Sequence, residues 1–253
     1  MLASGSAGNA TLVRSGATAI LIDAGISARE LARRLSCAGV DIDAFDALLI
    51  SHEHNDHVRG AAAVSRRFSA PVYANRPTSR GAGLPSALKS DMMFEFSTGE
   101  AFKVGCLEVT PFAVPHDAAE TVGFTISDGR ARAGFATDIG SLTLEVLDGL
   151  SNCGLVVLES NHDEAMLREG PYPEFLKRRV DSPYGHLSNA DAAELARSLY
   201  HDGLGYLVLA HLSRTNNHPD LPLKAVRAAL GAGGSRVRVS LGWQDRAGEL
   251  IRL

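Results

Sequence analysis

The sequence is poor in cysteine, with three in 253 residues, at Cys37, Cys106 and Cys153. An odd, scattered set builds neither a disulfide framework nor a paired-cysteine metal site, and unpaired thiols fit a reducing cytosol. Long apolar runs are absent. Ala47–Ile50 and Leu155–Leu158 are representative, far short of the roughly 20 residues that cross a bilayer. The opening Met-Leu-Ala-Ser-Gly lacks the basic and apolar regions of a signal peptide, so a cytoplasmic protein with no membrane partner is expected. No basic excess advertises nucleic acid: 25 Lys and Arg stand against 29 Asp and Glu, for a net charge of −4. Aromatics make up 6%, with one Trp, too few to read a base-stacking series. No internal repeat or low-complexity tract is found. The 45% hydrophobic and 21% charged content excludes disordered, collagenous and coiled-coil chains. What the sequence does have is histidine, nine residues, three of them between positions 52 and 57.

Short apolar strands alternate with amphipathic helices. Strands are expected at Thr11–Arg14, Thr18–Asp23, Ala47–Ser51, Val72–Ala74, Glu108–Ala113, Val122–Ser127, Ala131–Thr137, Gly154–Ser160, Gly205–Ala210 and Arg236–Ser240. Several are continuous apolar runs of the kind buried on both faces. Helices are expected at Ala28–Leu35, Val58–Phe68, Leu142–Asp148, Asn189–His201 and Leu221–Leu230. Ser27 with Glu30 has capping-box spacing, and Ser188 with Asp191 opens another helix. The pattern predicts an α/β protein with helices covering sheets. Two stretches, Asn75–Glu100 and Asn161–Tyr184, read as long irregular segments, either lids or surface insertions.

Five strands finish in metal-binding or acid–base residues. Ala47–Ile50 leads into Ser51-His52-Glu53-His54-Asn55-Asp56-His57. Val109–Val114 leads to His116, Ala133–Ala136 to Asp138, Leu155–Leu158 to Glu159, and Leu207–Ala210 to His211. Sites in α/β sheets lie beyond the carboxyl ends of strands, so these ends are expected to converge. His52 and His54, two apart in an extended segment, point the same way and can reach one ion. Asp56 and His57 follow as the chain turns into a helix and can face a second position. A cluster of imidazoles without a metal or acid partner would strand polar groups.

These residues resemble the metallo-β-lactamase-fold hydrolases, over nearly the whole chain. The resemblance implies a single domain over 1–253, a four-layer αββα sandwich, and two divalent ions. By that resemblance His52, His54 and His116 would hold one ion, Asp56, His57 and His211 the other, with Asp138 and a hydroxide bridging them. Gly5-Ser6-Ala7-Gly8-Asn9, Glu159-Ser160-Asn161-His162-Asp163, Gly185-His186-Leu187-Ser188-Asn189 and His211-Leu212-Ser213-Arg214-Thr215-Asn216-Asn217 look like the YycJ/WalJ-type branch. That branch is similar to tRNase Z-like phosphodiesterases and includes nucleases, 5′–3′ DNA exonucleases among them, so the resemblance implies a nuclease that is either DNA 5′–3′ exonuclease-like or RNase-like. The start, Met1-Leu2-Ala3, is shorter than that branch's usual first strand.

The implied reaction is attack of the hydroxide on a phosphodiester phosphorus, with DNA or RNA as the partner. Asp56 orients the nucleophile, His186 assists the leaving group, and Glu159 orients His186. Ser188, Asn189, Arg214, Asn216 and Asn217 are candidates to hold substrate. The nitrogen and oxygen ligand set suits Zn²⁺ first, then Mn²⁺ or Fe. Two divalent ions bring the formal charge from −4 to zero. Arg59, Arg66, Arg67, Arg76, Arg80, Lys89, Lys177, Arg178 and Arg179 are candidates to track a phosphate backbone. His162 reads as a surface-loop histidine or a residue lining the site, and His201 and His218 as structural or surface. Gly5, Gly8 and Asn9 read as a tight turn approaching the centre. Competing readings are a thioester or lactone hydrolase of the glyoxalase II-like class, a redox diiron protein, and an inactive metal-stabilised binding module. Homo-oligomerisation stays open.

Overall fold

The computed structural model describes residues 1–253. Two sheets face each other. The first has five strands in sequence order: β1 (Thr11–Ser15), β2 (Thr18–Ile22), β3 (Ala47–Leu49), β4 (Val72–Ala74) and β5 (Met93–Glu95). The second has seven: β6 (Phe102–Val104), β7 (Leu107–Ala113), β8 (Val122–Ser127), β9 (Arg132–Ala136), β10 (Leu155–Glu159), β11 (Tyr206–Ala210) and β12 (Arg238–Leu241). They lie in the order β12-β11-β10-β9-β8-β7-β6. β2 to β5 run parallel, as do β9 to β12. The carboxyl ends within each set therefore emerge at one edge.

The apolar strands are continuous because each serves two cores. Ile20, Ile22, Ala47 and Leu49 meet Phe124, Val157 and Val208 between the sheets. Their neighbours Leu21, Leu48 and Ile50 face the helices Ala28–Cys37 and Ala61–Phe68. On the second sheet Val156, Leu158, Leu207 and Leu209 pack under the helices Leu144–Leu150, Asn189–Leu199 and Asp220–Leu230. Successive side chains of a strand point to opposite faces, so this alternation makes four layers: helix, sheet, sheet, helix. Burying each such side chain contributes about 1.5–3 kcal/mol. No helix is long and apolar enough to cross a membrane.

Some expectations need correction. The Val58–Phe68 helix starts earlier, at Asn55–Val58, breaks at Gly60 and resumes at Ala61–Phe68. Gly60 sits where a Cβ would come within 2.0 Å of the Ile26 carbonyl oxygen, and its N–H bonds the Ala24 carbonyl at 2.7 Å. Asn75–Glu100 is not irregular: it holds the helices Arg76–Gly81 and Leu84–Ala87 and strand β5. Asn161–Tyr184 holds helices Glu164–Glu169 and Glu174–Val180. Asn75 and Asp163 cap the first helix of each by accepting from Thr78 N and Met166 N, both at 2.9 Å. Strands β5 and β6 were not expected. Ser27 caps its helix through Glu30 N, but the Glu30 carboxylate binds Arg33 and Arg34, so the reciprocal half of the capping box is missing.

Candidate metal centre

The strand ends converge. His52 and His54 follow β3, His116 follows β7, Asp138 follows β9, Glu159 ends β10 and His211 follows β11. Three groups of ligand atoms form, each within 4.8 Å: His52, His54 and His116; Asp56, His57, Asp138 and His211; and, sharing two members with the second, Asp138, Glu159, His186 and His211. His116 Nε2 lies 3.3 Å from His54 Nδ1. In the second group His211 Nε2 lies 3.3 Å from Asp56 Oδ2, and His57 Nε2 lies 3.1 Å from Asp138 Oδ2. Asp138 Oδ1 reaches toward the first group, 3.8 Å from His116 Nε2.

Four of the five imidazoles, all but His54, are held from behind. His57 Nδ1 donates to Asp23 Oδ2 at 2.7 Å, and Ser51 Oγ donates to the same carboxylate at 3.0 Å. His52 Nδ1 pairs with Ser51 Oγ at 3.1 Å. His116 Nδ1 donates to the Gly185 carbonyl at 3.0 Å. His211 Nδ1 donates to Glu159 Oε1 at 2.9 Å. These bonds fix rings and tautomers so that the Nε2 atoms face inward, as the outer partners of metal-ligating histidines do.

The donor set fits a metal. His52 Nε2 and Asp138 Oδ2 are buried without a hydrogen-bond partner. Buried polar atoms are rarely left this way, and a cation between the two groups would satisfy both. Burial, then the charge of His57, pushes the His52 imidazole well below its usual value. That keeps it neutral, the form that ligates. Burial opposes charge on His211, but Asp138, Asp56 and Glu159 outweigh it and raise it to about 10. Burial likewise opposes the Glu159 charge, while His186 and His211 hold its carboxyl at about 2.

His186 stands beside this centre. Its Nδ1 donates to Glu159 Oε1 at 2.9 Å, and its side chain is half-buried at a cavity of about 280 Å³. The cavity is also lined by His54, Asp56, His116, Asp138 and His211, and by Asp117, Arg179 and Tyr172.

The five proposed substrate residues do not line that cavity. Ser188 is a buried helix cap, accepting from Asp191 N at 3.1 Å. Asn189 and Asn217 bond each other at 2.9 Å within a buried network tied to Ser160. Asn216 is buried, and Arg214 is exposed beside Asp245. Arg59 spends its guanidinium on the carbonyls of Ala7 and Gly25. His162 is not a surface residue: it is 1% exposed, with both ring nitrogens unpartnered. His201 bonds the Cys153 carbonyl, and His218 lies near Asp220.

Sequence reasoning missed Asp23, Asn161, Asp117 and Ser213, and placed Arg179 only among generic basic residues. Asp23 carried a readable signal, since it too follows an apolar strand, Thr18–Ile22. The Gly5–Asn9 turn does approach the centre, with Asn9 Nδ2 2.9 Å from His57 Nε2.

Comparison with known proteins identifies the family. A family model described as "Beta-lactamase superfamily domain" matches residues 18–212, a span containing all seven candidate ligands. The exodeoxyribonuclease YycJ of Bacillus anthracis is 35% identical over 235 residues, covering 92% of this chain and 89% of that protein. The exodeoxyribonuclease WalJ of Streptococcus pneumoniae is 30% identical over 241 residues, covering 92% of this chain and 90% of its own. Among solved structures, the metallo-β-lactamase fold protein YhfI of Bacillus subtilis superposes with a TM-score of 0.70 at 17% identity, covering 96% of this chain and 94% of that one. The chain belongs to the β-lactamase superfamily.

Proposed function

We infer that the protein is a two-metal phosphodiesterase that cleaves DNA from an end, an exodeoxyribonuclease. The observation that carries this reading is one set of residues: two ligand groups joined at Asp138 and opening on a cavity whose wall presents His186. The relatives named exodeoxyribonuclease, similar along nine-tenths of the chain, support the polymeric substrate.

His52, His54 and His116 would hold one divalent ion and Asp56, His57 and His211 the other, with Asp138 between. Zinc is the first choice for this nitrogen and oxygen set. Such a pair supplies a lowered water pKa, toward about 7, and neutralises charge building on phosphorus. The chain's own residues do the rest. Asp56 faces the cavity and is placed to orient the attacking water by accepting its hydrogen bond. His186 keeps its Nδ1 proton on Glu159, which favours the imidazolium against the opposing effect of burial. Its Nε2 then offers a proton to the departing oxygen. Arg179 lines the same wall paired with the Asp117 carboxylate, and a phosphate oxygen would compete with that carboxylate for its guanidinium.

The test offers zinc- or manganese-loaded protein bis(p-nitrophenyl) phosphate, end-labelled single- and double-stranded DNA, RNA, and a thioester. Hydrolysis of the diester and release of nucleotides from DNA ends are expected. His186→Ala should lower turnover by about 10²–10⁴-fold, the usual share of a general acid, with metal content near wild type. Cleavage of the thioester alone would overturn the phosphodiesterase reading.

A further inference from the structure

The Gly5–Asn9 turn is fastened to the metal centre on both sides. Before it, Ser4 Oγ accepts from His211 N at 2.7 Å. At its end, Asn9 N donates to the Asp56 carbonyl at 2.7 Å, and Asn9 Nδ2 lies 2.9 Å from His57 Nε2. The residues between these anchors are held beside the second ligand group. One of them, Ser6, is exposed and lines the metal cavity.

The turn uses up its own donors, with one exception. Gly5 N donates to Asn9 Oδ1 at 2.8 Å, Ala7 N to Gln244 Oε1 at 2.7 Å, and Gly8 N to the Gly5 carbonyl at 2.9 Å. Ser6 enters none of these bonds, through its N–H or its hydroxyl. Gly8 fixes the path: its φ is 141°, and a Cβ there would lie 2.5 Å from the Gly25 carbonyl oxygen.

The far end of the chain holds the middle of the turn. Gln244, three residues beyond β12, accepts from Ala7 N through Oε1 and donates to the Gly8 carbonyl through Nε2 at 2.9 Å. Its own carbonyl accepts from Arg34 Nη1 at 2.8 Å, and the same nitrogen bonds the Leu2 carbonyl at 2.8 Å. Arg34 is buried, so it ties the Gln244 backbone to the segment that leads into the turn. Arg59 adds a bond to the Ala7 carbonyl at 2.7 Å. Ala7 is thus held at both N–H and C=O, and the chain next to Ser6 cannot swing.

We propose that Ser6 is a substrate-binding residue, donating its hydroxyl to a non-bridging oxygen of the reacting phosphodiester, and that Gln244 is the positioning residue that keeps it there. This rests on the phosphodiesterase reading. A phosphodiester is an anion entering a cavity lined by the carboxylates of Asp56, Asp117 and Asp138. Arg179 is already paired with Asp117. Ser6 is a neutral donor with no partner to give up, and a hydrogen bond to an ionised oxygen is stronger than one between neutral groups.

The experiment measures kcat and KM of zinc-loaded protein on bis(p-nitrophenyl) phosphate, whose single phosphate is the one that reacts, with zinc content and Tm read for every variant. Ser6→Ala should lower kcat/KM by about 10-fold or more, the loss of one hydrogen bond to a charged group, at wild-type zinc content and Tm. Ser6→Thr, which keeps the hydroxyl, should stay near wild type. Gln244→Ala should lower kcat/KM by a similar factor, and the double variant should fall no further, because residues that act through one contact are not additive. Unchanged kcat/KM in Ser6→Ala overturns the contact. So does a loss that Ser6→Thr shares, or one matched by a loss of zinc. Losses that multiply in the double variant mean that Gln244 does not act through Ser6, and its positioning role falls. Turnover by the wild type with Ser6→Ala unaffected sinks only the Ser6 contact, whereas no turnover by the wild type sinks the phosphodiesterase and the contact together.

Discussion

Glu159→Gln changes one atom at the most heavily used carboxylate in the molecule. Glu159 is fully buried, and four donors converge on it. Oε1 accepts from His186 Nδ1 and His211 Nδ1, both at 2.9 Å. Oε2 accepts from Ile139 N at 2.7 Å and Leu187 N at 3.1 Å. A carboxylate can accept at both oxygens, and a carboxamide at only one. If the amide nitrogen takes the Oε2 place, it meets two backbone N–H groups that cannot turn away. If it takes the Oε1 place, both histidines must give up their Nδ1 protons and carry them on Nε2. In His211 that is the atom 3.3 Å from Asp56, so the ring could no longer ligate there. Leaving two buried donors unsatisfied costs about 1–3 kcal/mol each, or about 2–6 kcal/mol in all. For a chain of this length that lowers Tm by roughly 4–24 °C, at about 2–4 °C per kcal/mol. Loss of such an outer partner also costs about 10–100-fold in metal affinity or activity. Thermal unfolding, elemental analysis and a chelator competition read these effects separately. A variant with wild-type Tm, full metal content and wild-type turnover would refute the reasoning, because it would mean that the four bonds do not constrain the centre.

Chelation should destabilise the protein, since a divalent cation held by the ligand cluster would favour the folded chain over the unfolded one; at 100 times Kd the loss is about 2.7 kcal/mol, read as a Tm drop of roughly 5–11 °C that added zinc reverses. Gly60→Ala should cost about 1–3 kcal/mol by overpacking and displace His57, because its Cβ would lie 2.0 Å from Ile26 O; a denaturant titration with unchanged midpoint would refute this. Hydrogen bonds from Arg33 and then Arg34 lower Glu30 from its ordinary 4.5 to about 2. Its contribution to stability is therefore present above about pH 4.5 and lost as pH falls toward 2, and Glu30→Gln should flatten the stability profile in that window.

The site was legible where chemistry and periodicity coincide. Ala47–Ile50, Ala133–Ala136 and Leu207–Ala210 are apolar because both faces are buried. The polar residue that ends each run marks the edge where parallel strands stop together. What stayed hidden depends on tertiary contact. The break at Gly60 has no local cause; it follows from the Ala24 and Ile26 carbonyls crossing against it. Met93–Glu95 and Phe102–Val104 are three-residue strands at sheet edges, too short to show alternation. The helix Glu174–Val180 follows Pro171 and Pro173, which read as loop formers, although proline just before a helix is also a start signal. Ser188, Asn189 and Asn217 look like substrate contacts beside His186 and His211, yet they fasten the loops that carry those histidines. A single sequence does not distinguish holding a ligand from holding the residue that holds it.

Backbone conformation adds a constraint that residue type alone does not reveal. Asp23, Asp138 and His211 adopt left-handed backbone, with φ of 59°, 60° and 56°. Each lies one or two residues beyond a buried strand, and each directs its side chain back to the centre. A non-glycine residue in this region costs of order 1–3 kcal/mol. Three such residues beside the metal cluster mean that the packed strands β2, β9 and β11 hold the turn against that cost. Asparagine and aspartate tolerate the conformation better than other non-glycine residues. Asp138→Asn therefore removes the charge shared by the two ligand groups while keeping the turn, whereas Asp138→Ala loses both. The difference in metal affinity between the two variants measures how much of the centre is made by the carboxylate and how much by the turn that aims it.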